Sequence, residues 1–230
     1  MVEHIKKVLS QYEFDELKEY VHVNDKVATD GTKKGLETTE ALYEFPTYNF
    51  LPAHETATNK IEKLIRKFQG REDQHIEYWF RFADEAAWHV DGDEIMGKKL
   101  GAAVINTIDT PQVATTSHVF YVFCQNLKGG ELEIATETLW KPGTPVTKII
   151  EPLAGSAKVT IKPIENSAVR FNARMYHRIT PCTPKLQGFP FKRTVLVWSI
   201  WDEIPEGYKE WKHWDMKGND TPTRVKWSHI

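Results

Sequence analysis

The first part of the chain carries apolar residues at helical spacing. Over residues 3–22 these positions form one stripe, interrupted near Phe14, where Asp15 is a candidate N-cap for a restarted helix. Residues 23–54 lack a regular period, and residues 55–70 predict a second helix with one apolar face and Gly70 as its C-terminal stop. The chain up to about residue 70 is therefore predicted to be mainly helical.

After Gly70 the pattern changes to short β-branched and aromatic runs separated by Gly, Pro, Asn and Asp. This spacing predicts a mainly β fold, a barrel or jelly roll, with the N-terminal helices packed against it. The sequence shows no repeat, low-complexity tract or linker, so we expect one domain over residues 1–230. Its β core spans about 76–201, and an extension over 202–230 carries three tryptophans. The runs are HIEYWFRF, GAAVINTI, SHVFYVFCQN, ELEIAT, AKVTIKPI, SAVRFNA, YHRITPC and KRTVLVWSIW.

Composition and charge narrow the classes of protein. The 230 residues include 40% hydrophobic and 27% charged residues, and the net charge is −2. This balance is typical of a globular protein and gives no nucleic-acid signature. No apolar stretch reaches the roughly 18 residues that a membrane-spanning helix needs. The two cysteines make no disulfide framework and the N-terminus resembles no secretory signal, so we expect a cytoplasmic protein. The sequence leaves a homo-oligomer open.

The stretch AAWHVDGDE, residues 86–94, holds candidate metal ligands. Side chains two apart on a strand point to the same side, roughly 6–7 Å apart at the backbone, so His89 and Asp91 can approach one ion. His177, in a strand-like run before a Pro-bounded turn, is the candidate third ligand, and His118 competes with it. Two imidazoles and one carboxylate form the facial triad of non-heme Fe(II) oxygenases, which leaves open positions on the metal.

These landmarks occur in an order that resembles the Fe(II)/2-oxoglutarate-dependent dioxygenase superfamily, in its prolyl-hydroxylase-like branch. WHVDGDE is followed by Asn126 and GGEL at 129–132, then by Phe171 and His177, and then by a strand that opens with Lys192 and Arg193. The resemblance implies a double-stranded β-helix (jelly roll) fold and His89, Asp91 and His177 as the metal ligands. It also implies Fe(II) as the metal, and 2-oxoglutarate and O₂ as cosubstrates.

The resemblance also implies a cation for the far carboxylate of 2-oxoglutarate. Arg193 is the more common residue type for this role, because its planar fork matches a carboxylate. Lys192 fits the spacing to Trp198 better and brings Thr194 into the hydroxyl position that relatives use, so both cations stay open. Tyr78 and Tyr121 lie where relatives often place a tyrosine that contacts the cosubstrate.

The implied activity is hydroxylation of a substrate C–H bond with release of succinate and CO₂, since halogenating relatives lack the carboxylate that Asp91 supplies. The sequence does not identify the small-molecule or peptide substrate; the segments expected to select it are 23–54, 92–116 and 182–190. Two other hypotheses are compatible with the sequence. The protein could be a cupin-like metal-dependent binding protein, or a zinc hydrolase with Asp93 or Glu94 as its base.

Overall fold

The computed structural model describes residues 1–30, 49–81, 85–92, 112–141, 156–189 and 191–205, with side chains for all of these except 22–30. The described residues form two helices, α1 (Gln11–Asp30) and α2 (Lys60–Arg66). The strands are β1 (Val2–Lys6), β2 (Asn49–Leu51), β3 (His75–Arg81), β4 (Ala86–His89), β5 (Thr116–Gln125), β6 (Leu127–Gly129), β7 (Leu132–Leu139), β8 (Lys158–Ile161), β9 (Ser167–Asn172), β10 (Met175–Ile179), β11 (Cys182–Pro184) and β12 (Lys192–Trp201).

The N-terminal segment differs from the predicted helix over 3–22. Residues Val2–Lys6 form β1, which pairs along its whole length with β9, a partner that local periodicity cannot reveal. The helix begins instead after Ser10, whose Oγ accepts a hydrogen bond from the Glu13 amide while the Glu13 carboxylate accepts from the Ser10 amide. This reciprocal capping box fixes the start of α1. The predicted restart at Asp15 is wrong, because α1 runs through Phe14 and Asp15 without a break.

The second helix is shorter than the predicted 55–70 segment. Asn59 is its N-cap, and its Oδ1 accepts a 2.8 Å hydrogen bond from the Glu62 amide. The Glu62 carboxylate accepts a 2.6 Å bond from the Thr58 amide. With these caps the helix begins at Lys60, five residues later than the predicted start at residue 55. Ile61, Leu64 and Ile65 are buried, so the predicted apolar face is correct although the ends are not.

The predicted jelly roll is confirmed by the order of the strands. The larger sheet has the order β1-β9-β5-β12-β3-β2, and the smaller sheet has the order β4-β10-β7-β8. Every pairing in the two sheets is antiparallel. The strand order β9-β5-β12-β3 within the larger sheet and β4-β10-β7-β8 in the smaller sheet is that of a double-stranded β-helix. Strands β1 and β2 are added at the two edges of the larger sheet.

The larger sheet is covered on both faces, which explains its nearly continuous burial. Its outer face carries Phe120, Leu196 and Trp198, which pack with apolar residues of α1 and α2. Its inner face carries Tyr121 and Val197, which pack with apolar residues of β7 in the smaller sheet. Because side chains alternate along a strand, the inner face alone can contribute groups to a site between the sheets. Neither of the described helices has the length and apolar character needed to cross a membrane.

His118, the competing ligand candidate, lies on the outer face of the larger sheet. It is fully buried, stacks on Trp198 with ring centroids 4.6 Å apart, and meets the edge of Phe68. It is therefore on the opposite side of β5 from the space between the sheets. Its burial, with a contribution from Arg170, lowers the pKa of His118 from 6.5 to about 3.

Replacing His118 with phenylalanine is expected to reduce the loss of stability in acid. Between about pH 3 and pH 6.5 only the unfolded chain protonates this imidazole, so the free energy of unfolding rises with pH by up to about 1.4 kcal/mol per unit. Phenylalanine retains the ring stacking and has no titrating nitrogen. Urea unfolding at about pH 5 and about pH 7 measures the effect, and an unchanged difference between the two pH values would contradict it.

Candidate metal centre

Two strands of the smaller sheet bring the predicted ligands together. His89 is the last residue of β4, and Asp91 follows two positions later. His177 lies in the middle of β10 and is the register partner of His89. The pairing of β4 with β10 therefore places two imidazoles side by side, with ring centroids 4.2 Å apart, although 88 positions separate them in the sequence.

The three side chains form a compact cluster of ligand atoms. Oδ1 of Asp91 lies 3.9 Å from Nε2 of His89 and 3.6 Å from Nε2 of His177. One potential ligand atom from each residue can be chosen so that all three lie within 4.8 Å of one another. Two ligands that each bond one ion at roughly 2.1 Å can be at most about 4.2 Å apart, and both His-to-Asp distances meet this limit.

Both imidazoles are oriented by the backbone of their own strands. Nδ1 of His89 lies 2.7 Å from the Ala87 carbonyl oxygen, and Nδ1 of His177 lies 3.0 Å from the Met175 carbonyl oxygen. Because a carbonyl can only accept, each Nδ1 must carry the proton and donate it. The lone pair is then on Nε2, the atom that faces Asp91 and is available to a metal.

The charges of the cluster also suit metal binding. Burial works to raise the pKa of Asp91, but His177, His89 and a hydrogen bond from the Ser117 hydroxyl outweigh it and hold the pKa well below its usual range. Burial and the neighbouring His177 lower the pKa of His89 to about 3. At neutral pH the site therefore offers an ionised carboxylate and a neutral His89 imidazole, the forms in which these groups bind metals.

The donor set limits the choice of metal. Two imidazoles and one carboxylate on one side of an ion leave the remaining coordination positions open, as in non-heme Fe(II) oxygenases. The same set also binds zinc in hydrolases that hold a catalytic water. The residues therefore fit a divalent transition metal with open coordination positions, and the groups around the cluster must distinguish the two chemistries.

The cluster lies in a cleft between the two sheets. Arg193, near the start of β12, lines this cleft and is only 4% exposed. Gly130 allows the Arg193 side chain to pass close to the backbone, since a Cβ at that position would lie 3.2 Å from Cδ of Arg193. The whole lining comprises Trp79, Arg81, Glu85, Ala86, His89, Asp91, Val119, Leu132, His177, Ile179, Arg193, Val195 and Val197.

The alternation of β12 separates the two candidate cations. Arg193, Val195 and Val197 line the cleft. Lys192 lies on the other side of the strand, where its Nζ is 4.1 Å from the centre of the Phe123 ring in the cluster formed with the helices. Thr194 is fully buried and, like Lys192, alternates with the residues that line the cleft. The structure thus places Arg193 in the same cleft as the candidate metal ligands, and Lys192 and Thr194 on the opposite face of β12.

The two predicted tyrosines also lie on opposite faces. Tyr121 is fully buried in the inner cluster, and its ring centre is 6.0 Å from Cζ of Arg193. Burial raises the pKa of Tyr121, and the positive charge of Arg193 acts against this rise. Tyr78 instead packs in the outer cluster, where its hydroxyl donates a 3.1 Å hydrogen bond to Oε1 of Glu62.

Sequence reasoning missed several residues of the site. Ser117 donates to Oδ2 of Asp91, which leaves Oδ1 directed at the two histidines. Trp79 and Arg81 line the cleft from the inner face of β3. The alternation of side chains along each strand could have indicated them. Ser117 lies on the same face of β5 as Tyr121, and Trp79 and Arg81 lie on the face of β3 opposite to Tyr78. Asp93 and Glu94, the bases considered for a zinc hydrolase, lie outside the described residues.

No protein-family model matches the chain, and no curated protein does. Among solved structures, the chain is similar to a prolyl-4-hydroxylase of Pseudomonas putida, with 13% identity, coverage of 88% of this chain and 93% of that chain, and a TM-score of 0.45. It is also similar to the collagen prolyl hydroxylase of Paramecium bursaria Chlorella virus-1, with 16% identity, 86% and 94% coverage and a TM-score of 0.43.

A third similar structure is EctD from S. alaskensis with 2-oxoglutarate and 5-hydroxyectoine, at 15% identity, 86% and 71% coverage and a TM-score of 0.43. Because these TM-scores are all below 0.5, the interpretation of the site depends on the geometry of its own side chains. The described residues form a jelly roll in which two imidazoles, one carboxylate and a buried arginine share one cleft.

Proposed function

We propose that this protein is an Fe(II)- and 2-oxoglutarate-dependent oxygenase that hydroxylates a C–H bond of a small-molecule or peptide substrate. The observation that carries the proposal is the pairing of the His89–Asp91–His177 cluster with Arg193 in one cleft. A hydrolase requires the metal cluster but has no evident use for a buried guanidinium beside it. A keto dicarboxylic acid uses both, because one end can chelate the metal while the other end binds a cation.

Each group of the cleft has a distinct task in this proposal. His89, Asp91 and His177 hold the metal on one side, and Arg193 binds the far carboxylate of 2-oxoglutarate through two parallel hydrogen bonds. Tyr121, beside Arg193, is a further candidate contact for that carboxylate. The apolar side chains of Val195 and Val197 lie along the same wall and exclude water from the bound cosubstrate.

The bound metal would supply the activation of O₂ and the oxidation of the C–H bond. The overall reaction converts 2-oxoglutarate, O₂ and R–H into succinate, CO₂ and R–OH. One oxygen atom of O₂ enters succinate and the other enters the new hydroxyl group, so atoms and electrons balance. The chain itself contributes ligands, orientation and a cavity that excludes water.

Two measurements test the proposal without knowledge of the substrate. Fe(II) and 2-oxoglutarate, added together under anaerobic conditions, are expected to give a charge-transfer absorbance that neither gives alone. Admission of O₂ should then release succinate slowly, even with no second substrate. Absence of both signals in the metal-loaded protein would contradict the oxygenase proposal, and hydrolysis with bound Zn²⁺ in their place would support the hydrolase reading.

Gly130→Ala is expected to weaken the binding of 2-oxoglutarate by displacing Arg193. Gly130 has a φ of 72°, and a Cβ there would lie 2.9 Å from Sγ of Cys182 and 3.2 Å from Cδ of Arg193. We expect the KM for 2-oxoglutarate to rise by about tenfold or more while Fe(II) affinity is retained, since the metal ligands lie elsewhere in the cleft. Succinate formation at varied 2-oxoglutarate concentrations measures this change.

The matched control is Gly188→Ala. Gly188 has a similar φ of 81°, but nothing lies within 4 Å of the Cβ position, so this variant imposes the backbone strain without the contact. If both variants change the KM equally, the effect comes from strain or unfolding, and Gly130 does not position Arg193.

A further inference from the structure

A second arginine lies in the cleft, and the proposed reaction does not use it. Arg81 is the last residue of β3 and is the register partner of Val195, so it lies on the inner face together with Trp79. It is half-buried, whereas Arg193 is almost completely buried. Within the parts of the chain that the structure describes, Arg81 forms no ion pair and donates no hydrogen bond.

Arg81 lines the same cleft as the three candidate metal ligands, His89, Asp91 and His177. A guanidinium in a cleft between two sheets loses part of its hydration, and a bidentate oxyanion is the ligand that best replaces it. Arg81 therefore gives the cleft an anion-binding group beside the metal, separate from the cation that the cosubstrate would use.

Glu85 adds the complementary charge to the same cleft. It precedes β4, lines the cleft and is exposed, and it forms no ion pair with Arg81. A cation and an anion that line one cleft without neutralising each other match a ligand that carries both charges. A free α-amino acid has this character, because its carboxylate suits Arg81 and its ammonium group suits Glu85.

We propose that Arg81 binds the carboxylate of the main substrate, and that this substrate is a free α-amino acid or a similar small zwitterion. This inference rests on the proposed oxygenase function, because the substrate must present a C–H bond beside the metal. Trp79, two residues earlier on the same face of β3, supplies an apolar wall for the substrate side chain. Residues within a peptide chain lack the free carboxylate and are excluded as substrates.

Anaerobic calorimetry tests the inference without turnover. The full chain, loaded with Fe(II) and 2-oxoglutarate, is titrated with the proteinogenic L-amino acids and with their carboxamides. We expect at least one amino acid to bind and its carboxamide to bind at least about tenfold more weakly. Arg81→Gln should weaken binding of the free acid by a similar factor and remove the preference over the carboxamide, whereas Arg81→Lys should retain part of it.

The matched control is Arg170→Gln, which removes an exposed arginine of β9 and should leave the amino-acid affinity unchanged. The inference is overturned if no amino acid binds, if acid and carboxamide bind equally, or if Arg81→Gln weakens 2-oxoglutarate instead of the amino acid. Substrate-free succinate formation reports the oxygenase function separately. Its presence in the wild type and in Arg81→Gln, with no amino-acid binding, would reject the amino-acid inference and leave the proposed oxygenase function standing.

Discussion

Replacing His177 with alanine is expected to abolish succinate formation. The imidazole is the register partner of His89, and its Nε2 lies 3.6 Å from Oδ1 of Asp91, so its loss removes one of the three proposed metal ligands. Altering even the groups that support a ligand typically costs 10–100-fold in metal affinity or activity, so loss of a ligand should reduce turnover by more than about 100-fold. Fe(II) titration and succinate release at saturating 2-oxoglutarate measure the effect.

His54→Ala is the matched control for this variant. His54 is exposed and is not a member of the ligand cluster. We expect this variant to bind Fe(II) and release succinate as the wild type does. Wild-type turnover in His177→Ala would remove His177 from the metal site, and circular dichroism of the apo-proteins distinguishes this result from unfolding.

Replacing Arg193 with glutamine is expected to raise the KM for 2-oxoglutarate by about 100-fold, because truncating one member of a buried charge pair costs 2–5 kcal/mol. Fe(II) binding should remain, since the three metal ligands are unchanged. The matched control is Lys192→Gln, the adjacent cation on the other face of β12, where its Nζ lies over Phe123. We expect that variant to change the KM by less than about threefold.

The pair of variants also tests the register of β12. If Lys192→Gln raised the KM and Arg193→Gln did not, the face of β12 that meets the cosubstrate would be the outer one. Oxidation uncoupled from substrate should remain measurable in both variants at high 2-oxoglutarate concentration. This measurement separates a loss of cosubstrate binding from a loss of the metal.

The sequence identified the candidate metal ligands but not the face of β12 that lines the cleft. His89 and Asp91 were detectable because their spacing is local, and His177 because it follows the other landmarks in order. The choice between Lys192 and Arg193 depends on which face of β12 lines the cleft. Both faces carry apolar residues, Val195 and Val197 on one and Leu196 and Trp198 on the other, so one sequence pattern cannot reveal which face meets the smaller sheet.

The wrong prediction of a helix at the N-terminus also arose because the structure there depends on a distant strand. Val2–Lys6 have apolar positions that continue the stripe of α1, so the hydrophobic pattern alone does not separate them from the helix. Their pairing with Ser167–Phe171 decides the structure, and that partner lies far away along the chain. Ser10 and Glu13 could have marked the true helix start, because Ser-x-x-Glu is a local capping signal.

Main-chain hydrogen bonds orient the two imidazoles, so the site tolerates amino-acid replacements next to them. Each ring is held by the carbonyl two residues earlier on its own strand, at Ala87 and at Met175. These acceptors are main-chain atoms, so no amino-acid replacement at either position deletes them. Homologues can therefore vary the residues before each histidine and still inherit the same ring orientation, whereas the hydroxyl that holds Asp91 is lost as soon as Ser117 is replaced by a residue without one.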